Sequence, residues 1–160
     1  VNMNHAVLPI MRQQGGGRIV NMSSVAAPIA IPFQAYYSAS KAAVRTYSLA
    51  LASEVRPFGI EVCVIMPGDI ATGFTAARRK SCDGDDVYHG RIARSVAVME
   101  HDEQTGMDPA KAGAFIARVA MKRRPKPIYT IRLDYQFFVF LTRILPGRTL
   151  NWLIGLLYAR

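Results

Sequence analysis

The chain has 160 residues, 51% of them hydrophobic and 19% charged, which fits one globular domain and excludes a disordered or collagen-like chain. Its formal net charge of +9 comes from twenty Lys and Arg against eleven Asp and Glu. The excess lies in two short clusters, Arg78-Arg79-Lys80 and Lys122-Arg123-Arg124-Lys126, not in one stripe interleaved with aromatics, so solvated surface is expected and a nucleic-acid partner is not.

Residues 2–14 carry Met3, Val7, Ile10 and Met11 at helical spacing, with Pro9 inside and Gly15-Gly16-Gly17 as the stop. Arg18-Ile19-Val20-Asn21-Met22 reads as a short buried strand, and residues 23–28 as the loop leaving its carboxyl end. From Ala35 to about Arg56, Ala43, Val44, Tyr47, Leu51 and Val55 fall three or four apart and predict a long helix, stopped by Pro57 and Gly59. Ile60-Glu61-Val62-Cys63-Val64-Ile65-Met66 is a nearly continuous apolar run, the pattern of a parallel strand covered on both faces. Pro67-Gly68-Asp69 closes it with a turn.

Residues 70–90 are polar and irregular and are expected to form a mobile excursion, followed by a helix from about Val87 to Met99. Asp108-Pro109 supplies an N-cap and a first-turn proline for a helix to about Met121, and a strand follows near 127–131. Two apolar helices, 134–145 and 148–158, are separated by Pro146-Gly147. The alternation predicts an α/β fold with a parallel sheet. Residues 1–131 are assigned to the sheet domain, with 73–107 covering a substrate, and 132–160 to an apolar helical tail of the same domain. Cys63 lies in an apolar run and Cys82 in a polar loop, with no C-x-x-C pair and no His at ligand spacing, so neither a disulfide framework nor a metal site is expected. A reducing, cytoplasmic compartment follows. The first residues lack a signal peptide's basic and apolar regions, and no uncharged apolar stretch of about eighteen residues occurs, so no membrane span is expected.

The motif that carries chemistry is Tyr37-Ser38-Ala39-Ser40-Lys41, which puts a phenol and an ammonium one helical turn apart on one face. An ordinary phenol, with a pKa near 10, is a poor proton shuttle at neutrality, and a nearby cation favours its ionised form. Such a pair is a tuned acid or base. Ser24 precedes Tyr37 by thirteen residues and ends a predicted strand, where open α/β sheets place their ligand crevices. Tyr36 is excluded as the acid because the fourth residue after it is Ser40.

In order along nearly the whole chain, residues 17–24, 37–44, 57–62 and 67–72 resemble the short-chain dehydrogenase/reductases of the single-domain type. The resemblance implies a Rossmann-like doubly wound parallel sheet, here its C-terminal portion. It implies an oxidoreductase transferring a hydride between NAD or NADP and an alcohol or ketone. Tyr37 would be the general acid/base, Lys41 the pKa perturber and ligand of the nicotinamide ribose, and Ser24 the orienter of the carbonyl; Ser23 is the neighbouring residue with which Ser24 is most easily confused. Tyr37, Lys41, Pro67, Gly68, Ile70 and Thr72 would bind the cofactor. A homodimer or homotetramer is implied in the same way.

The family's G-x-x-x-G-x-G turn does not occur in this sequence. Gly15-Gly16-Gly17 follows a helix and precedes a strand, the reverse of what phosphate cradling needs. The family's structural Asn would fall a few residues before Val1, so neither Asn2 nor Asn4 takes that role. The chain therefore reads as the C-terminal portion of a longer enzyme, inactive without the rest. In the family the covering segment sets specificity, with Phe74, Tyr88, Val96 and Met99 as lining candidates. The apolar tail, interrupted by Arg143 and Arg148, is expected to pack on its own subunit or a partner. The competing reading rests it on a membrane, where it would collect lipid-like substrates. Two further alternatives stay open: a non-catalytic or membrane-surface binding protein of the same fold, and an epimerase or dehydratase using the same Tyr and Lys.

Overall fold

In the computed structural model, which describes residues 1–78, 80, 81 and 83–159, strand β2 (Ile60–Met66) is the axis around which the other elements are arranged. Arg79 of the first basic cluster and Cys82 lie outside the described residues. β2 is buried along nearly its whole length, as its apolar run requires. On one side it pairs in parallel with β1 (Gly17–Met22), from Gly17 opposite Ile60 to Met22 opposite Ile65. On the other it pairs in parallel with β3 (Ile128–Thr130), from Val64 opposite Ile128 to Met66 opposite Thr130. The three-stranded order β1-β2-β3 leaves β1 with a free edge among the described residues.

Because successive side chains of a strand point to opposite faces, β2 feeds two cores. Ile60 and Val62 pack with Ile19, Leu51 and Val55 against helices α1 (Asn2–Gln13) and α2 (Ala35–Val55). Cys63 and Ile65 pack with Val119 and Ile131, on the face covered by α5 (Pro109–Ala120). Helices on both faces of a parallel sheet make this an incomplete doubly wound, Rossmann-like fold.

One buried polar chain ties three elements together. Asn4 Nδ2 of α1 donates to Asn21 Oδ1 of β1 at 3.1 Å, Asn21 Nδ2 donates to Ser48 Oγ of α2 at 2.9 Å, and Ser48 Oγ donates to the Val44 carbonyl at 2.7 Å. Each group has its partner, so the chain holds α1 and α2 at fixed positions on β1 at little desolvation cost. After α2 the chain reverses through a short 3-10 turn, Arg56–Phe58, that ends on Gly59 at φ +69°. A Cβ there would lie 2.8 Å from the Gly15 carbonyl oxygen, so the left-handed conformation and the close approach both demand glycine.

The segment after β2 departs from expectation. It contains a short helix α3 (Phe74–Ala77), and the next helix α4 runs from Arg91 to Gln104, beginning four residues later than the sequence suggests. Its first amides are capped from upstream in the chain: Asp85 accepts from the backbone N–H of Ile92 at 2.8 Å and of Ala93 at 3.4 Å. Nor does the segment hang free. Thr75 Oγ1 donates to Glu103 Oε2 at 2.6 Å, Arg78 pairs with Glu103, and Lys80 Nζ meets Glu100 Oε1 at 2.5 Å. The first basic cluster is thus partly neutralised by α4, not simply solvated.

The tail forms two helices, α6 (Leu133–Ile144) and α7 (Gly147–Tyr158). Val139 and Ile154 are buried, whereas Phe137, Phe138, Phe140, Ile144, Trp152 and Leu157 are exposed. Arg91 Nε at the start of α4 donates to the Ala159 carbonyl at 2.7 Å, fixing the end of α7. Among the described residues no helix is long and apolar enough to cross a membrane.

Candidate active site

The carboxyl ends of β1 and β2 open into a cavity of about 330 Å³. Parallel strands of such sheets deliver their following loops to this end, which is where ligand crevices form. Ser24, Tyr37, Lys41, Pro67, Gly68, Ile70 and Thr72 all line it, although they come from β1's exit loop, the first turns of α2 and β2's exit loop. Spacing along α2 brings Tyr37 and Lys41 to one face: Lys41 Nζ lies 5.6 Å from the centroid of the Tyr37 ring and 3.5 Å from the Met22 carbonyl oxygen. No carboxylate pairs with this ammonium among the described residues. Tyr36, by contrast, is 94% exposed.

The two neighbouring serines divide their work. Ser23 Oγ donates to the Lys41 carbonyl at 2.7 Å, fastening the end of β1 to α2 beneath the Tyr-Lys pair. Ser24 Oγ accepts the Ala26 N–H at 3.1 Å and retains its own proton for donation into the cavity. Thr72 Oγ1 likewise accepts the Phe74 N–H at 3.2 Å. Among the expected covering residues, Phe74 and Met99 line the cavity, and Val96 lines a second cavity of about 310 Å³ that shares Gln34, Tyr37, Phe74 and Met99 with the first. Tyr88 stands away from both, edge-on to Phe33 at 5.8 Å between ring centroids.

Several lining residues were not read from the sequence: Asp69, Asp102, Glu103, Tyr135 and Tyr158. Tyr135 Oη donates to Asp69 Oδ2 and accepts the Asp69 backbone N–H at 3.3 Å. Burial pushes the Asp69 carboxyl above the usual carboxylate range, with Asp102 and Glu103 adding repulsion, while the Tyr135 hydrogen bond and Arg132 pull it back. Burial and the same carboxylate raise the Tyr135 phenol, and burial pushes Tyr158 up to about 12. Both phenols are therefore neutral hydrogen-bonding groups at ordinary pH. A turn signal at residues 67–69 was legible, but no local pattern points from Asp69 to tyrosines in the tail.

The donor set fits one end of a nicotinamide dinucleotide. An ammonium with no carboxylate partner, two hydroxyls with protons to give and a strand-end loop suit a ribose and a carboxamide. Tyr37, Lys41, Pro67, Gly68, Ile70 and Thr72 are the residues that would hold that end. The sequence has no Gly-rich turn for the pyrophosphate.

A profile of the short chain dehydrogenase family matches residues 1–83. A 3-ketodihydrosphingosine reductase from Bacteroides thetaiotaomicron is 45% identical over 127 residues, covering 78% of this chain and 47% of the relative. Among solved structures, a short-chain dehydrogenase from Streptomyces avermitilis superposes with a TM-score of 0.67 at 29% identity, over 86% of this chain and 50% of that one. A serine dehydrogenase complexed with NADP+ superposes with a TM-score of 0.61 at 25% identity, over 81% of this chain and 49% of that one. The chain spans about half the length of the relatives it matches. With the profile match spanning over half of its residues, the chain belongs to the short-chain dehydrogenase/reductase family.

Proposed function

We propose that this chain is the catalytic part of an NAD(P)-dependent oxidoreductase that interconverts an alcohol and a ketone, with Tyr37 as general acid/base. The observation that carries this reading is the convergence of Ser24, Tyr37 and Lys41 on one cavity at the carboxyl end of the sheet. When bound, NAD or NADP supplies hydride chemistry at the carbonyl carbon. Tyr37 gives its proton to the carbonyl oxygen in reduction and takes it back in oxidation. Lys41, held beside the Tyr37 ring, stabilises the charge that develops on the phenol oxygen. Ser24 donates to the same carbonyl oxygen and orients it toward Tyr37.

For the substrate, the 45% identical relative favours a long-chain keto compound of the 3-ketodihydrosphingosine type. The apolar lining of the shared cavities by Ile31, Phe74, Val96 and Met99 has room for an acyl chain. Assembly as a homodimer or homotetramer belongs to the same reading and is checked by analytical ultracentrifugation.

The test uses the intact protein with NADH, NADPH and 3-ketodihydrosphingosine. Tyr37→Phe is expected to reduce turnover about 10²- to 10⁴-fold. Retained turnover in that variant overturns the assignment.

A further inference from the structure

Two tail side chains, Tyr135 and Tyr158, line the cavity, and Tyr135 is the one that grips the loop after β2. Helix α6 begins just after Arg132, whose backbone sits at φ 70° and ψ 146°, a region that residues with a Cβ seldom occupy. Two contacts hold Arg132 there. Its guanidinium forks onto the Asp134 carboxylate, Nε to Oδ1 at 3.1 Å and Nη2 to Oδ2 at 2.6 Å, and its Cζ stands 5.2 Å from the centroid of the Tyr135 ring. The first turn of α6 is thereby fixed, and with it the direction of Tyr135.

Tyr135 in turn grips the loop that leaves β2. Its ring lies against Gly68 so closely that a Cβ at that position would overlap the ring. Beyond the ring, its hydroxyl makes two hydrogen bonds with the single residue Asp69, donating to the carboxylate and accepting from the backbone N–H. The loop is held equally from the other side. Met107 N–H donates to the Asp69 carbonyl at 2.9 Å, Ala71 N–H donates to the Met107 carbonyl at 3.0 Å, and a Cβ on Gly106 would lie 2.6 Å from the Asp69 carbonyl carbon. Pro67–Thr72 is therefore clamped between residues 106–107 and a tyrosine that lies 66 positions further along the chain than Asp69.

We propose that Tyr135 is a positioning residue, which holds the Pro67–Thr72 loop in the conformation that receives the nicotinamide end of the cofactor. This rests on the cofactor reading given above. A tail that only packed against the sheet would need buried apolar contacts, which Val139 already provides by packing with Val25 and Met66. It would not need a phenol engaged twice with the strand-end residue of a ligand cavity. The clamp acts on the nicotinamide end alone, because the loop it holds lies beside Tyr37 and Lys41.

The test separates the two ends of the ligand. In the intact protein, calorimetric titration measures the Kd of NADH and NADPH beside those of ADP-ribose and 2′-phospho-ADP-ribose, which lack the nicotinamide. Tyr135→Phe keeps the ring over Gly68 and removes both hydroxyl hydrogen bonds. It is expected to weaken the preferred dinucleotide about tenfold, or 1.4 kcal/mol, and to leave the matching ADP-ribose compound within about twofold of wild type. Asp69→Ala, which removes the carboxylate partner from the other side, is expected to reproduce that selective loss and keeps the question open to experiment if Tyr135→Phe fails to fold. Equal weakening of both ligands would reduce Tyr135 to a structural role, and unchanged dinucleotide affinity in both variants would overturn the clamp. Failure of the wild-type protein to bind any of the four compounds overturns the cofactor reading itself, and the clamp with it.

Discussion

Ser23 and Ser24 occupy adjacent positions and both have buried side chains, yet their hydrogen bonds give them opposite duties. Ser23→Ala deletes the bond to the Lys41 carbonyl, so it is expected to lower stability by about 1 kcal/mol with a small effect on turnover. Ser24→Ala leaves β1 fastened to α2 but leaves the buried Ala26 N–H without its acceptor, so it is expected to lower stability by about 1 kcal/mol as well and, unlike Ser23→Ala, to lower kcat about 10²-fold. Measuring both quantities in both variants separates the roles, and the reverse pattern would reassign them. Asp69 titrates in a direction that can also be checked. Its folded-state pKa is raised, so the fold prefers the protonated form. The stability it contributes is complete below the unfolded value near 3.9 and is lost as pH rises through the folded value. Asp69→Asn keeps an acceptor for Tyr135 without the charge. The melting temperature of wild type is therefore expected to fall relative to Asp69→Asn as pH rises above about 4, and a gap that stays constant with pH would contradict the raised pKa.

At the scale of elements, what was legible in the sequence was what local chemistry dictates. Asp108 and Pro109 announce α5, and the structure shows the Asp108 carboxylate accepting from the Ala110 and Lys111 amides at 2.8 and 3.1 Å. Asp108→Ala is expected to cost about 1 kcal/mol, read as a shift in denaturation midpoint. The apolar run of β2 and the spacing of Tyr37 and Lys41 on α2 were readable for the same reason, since period and cap lie within a few residues of each other. The start of α4 was misplaced because its cap, Asp85, lies seven residues before the amide it meets. Asp69, Tyr135 and Tyr158 escaped notice as lining residues because only tertiary folding brings the tail to β2's exit loop. Gly68 shows the same limit: the turn it forms was visible, whereas the ring packed on it was not. Gly68→Ala is expected to displace either the loop or the Tyr135 ring and to destabilise by about 1–3 kcal/mol, the usual cost of overpacking. A matched loss of melting temperature and dinucleotide affinity would show that both depend on that contact.

For the molecule as a whole, the decisive feature is the unpaired outer edge of β1. β3 borders the sheet on the side where residues 133–159 fold back to the site, but β1 offers its outer backbone edge with no ladder partner among the described residues. Met3, Ile10 and Met22 are also exposed. A strand edge with unpaired N–H and C=O groups is a template for pairing with another chain, and adjoining apolar surface strengthens the tendency. On the proposed reading the site is one-sided as well, because its residues would serve the nicotinamide end and the sequence holds no Gly-rich turn for a pyrophosphate. The 160 residues expressed alone are therefore expected to self-associate on size exclusion and to bind NADH and NADPH at least about 10²-fold more weakly than a polypeptide that adds a parallel strand and a Gly-rich turn beside β1, a difference of about 2.7 kcal/mol. Self-association and weak binding should disappear together when that strand is supplied, because both arise from the open side of β1. A monodisperse 160-residue chain with full dinucleotide affinity would show instead that the site is complete as it stands, with the pyrophosphate held by groups other than a glycine turn.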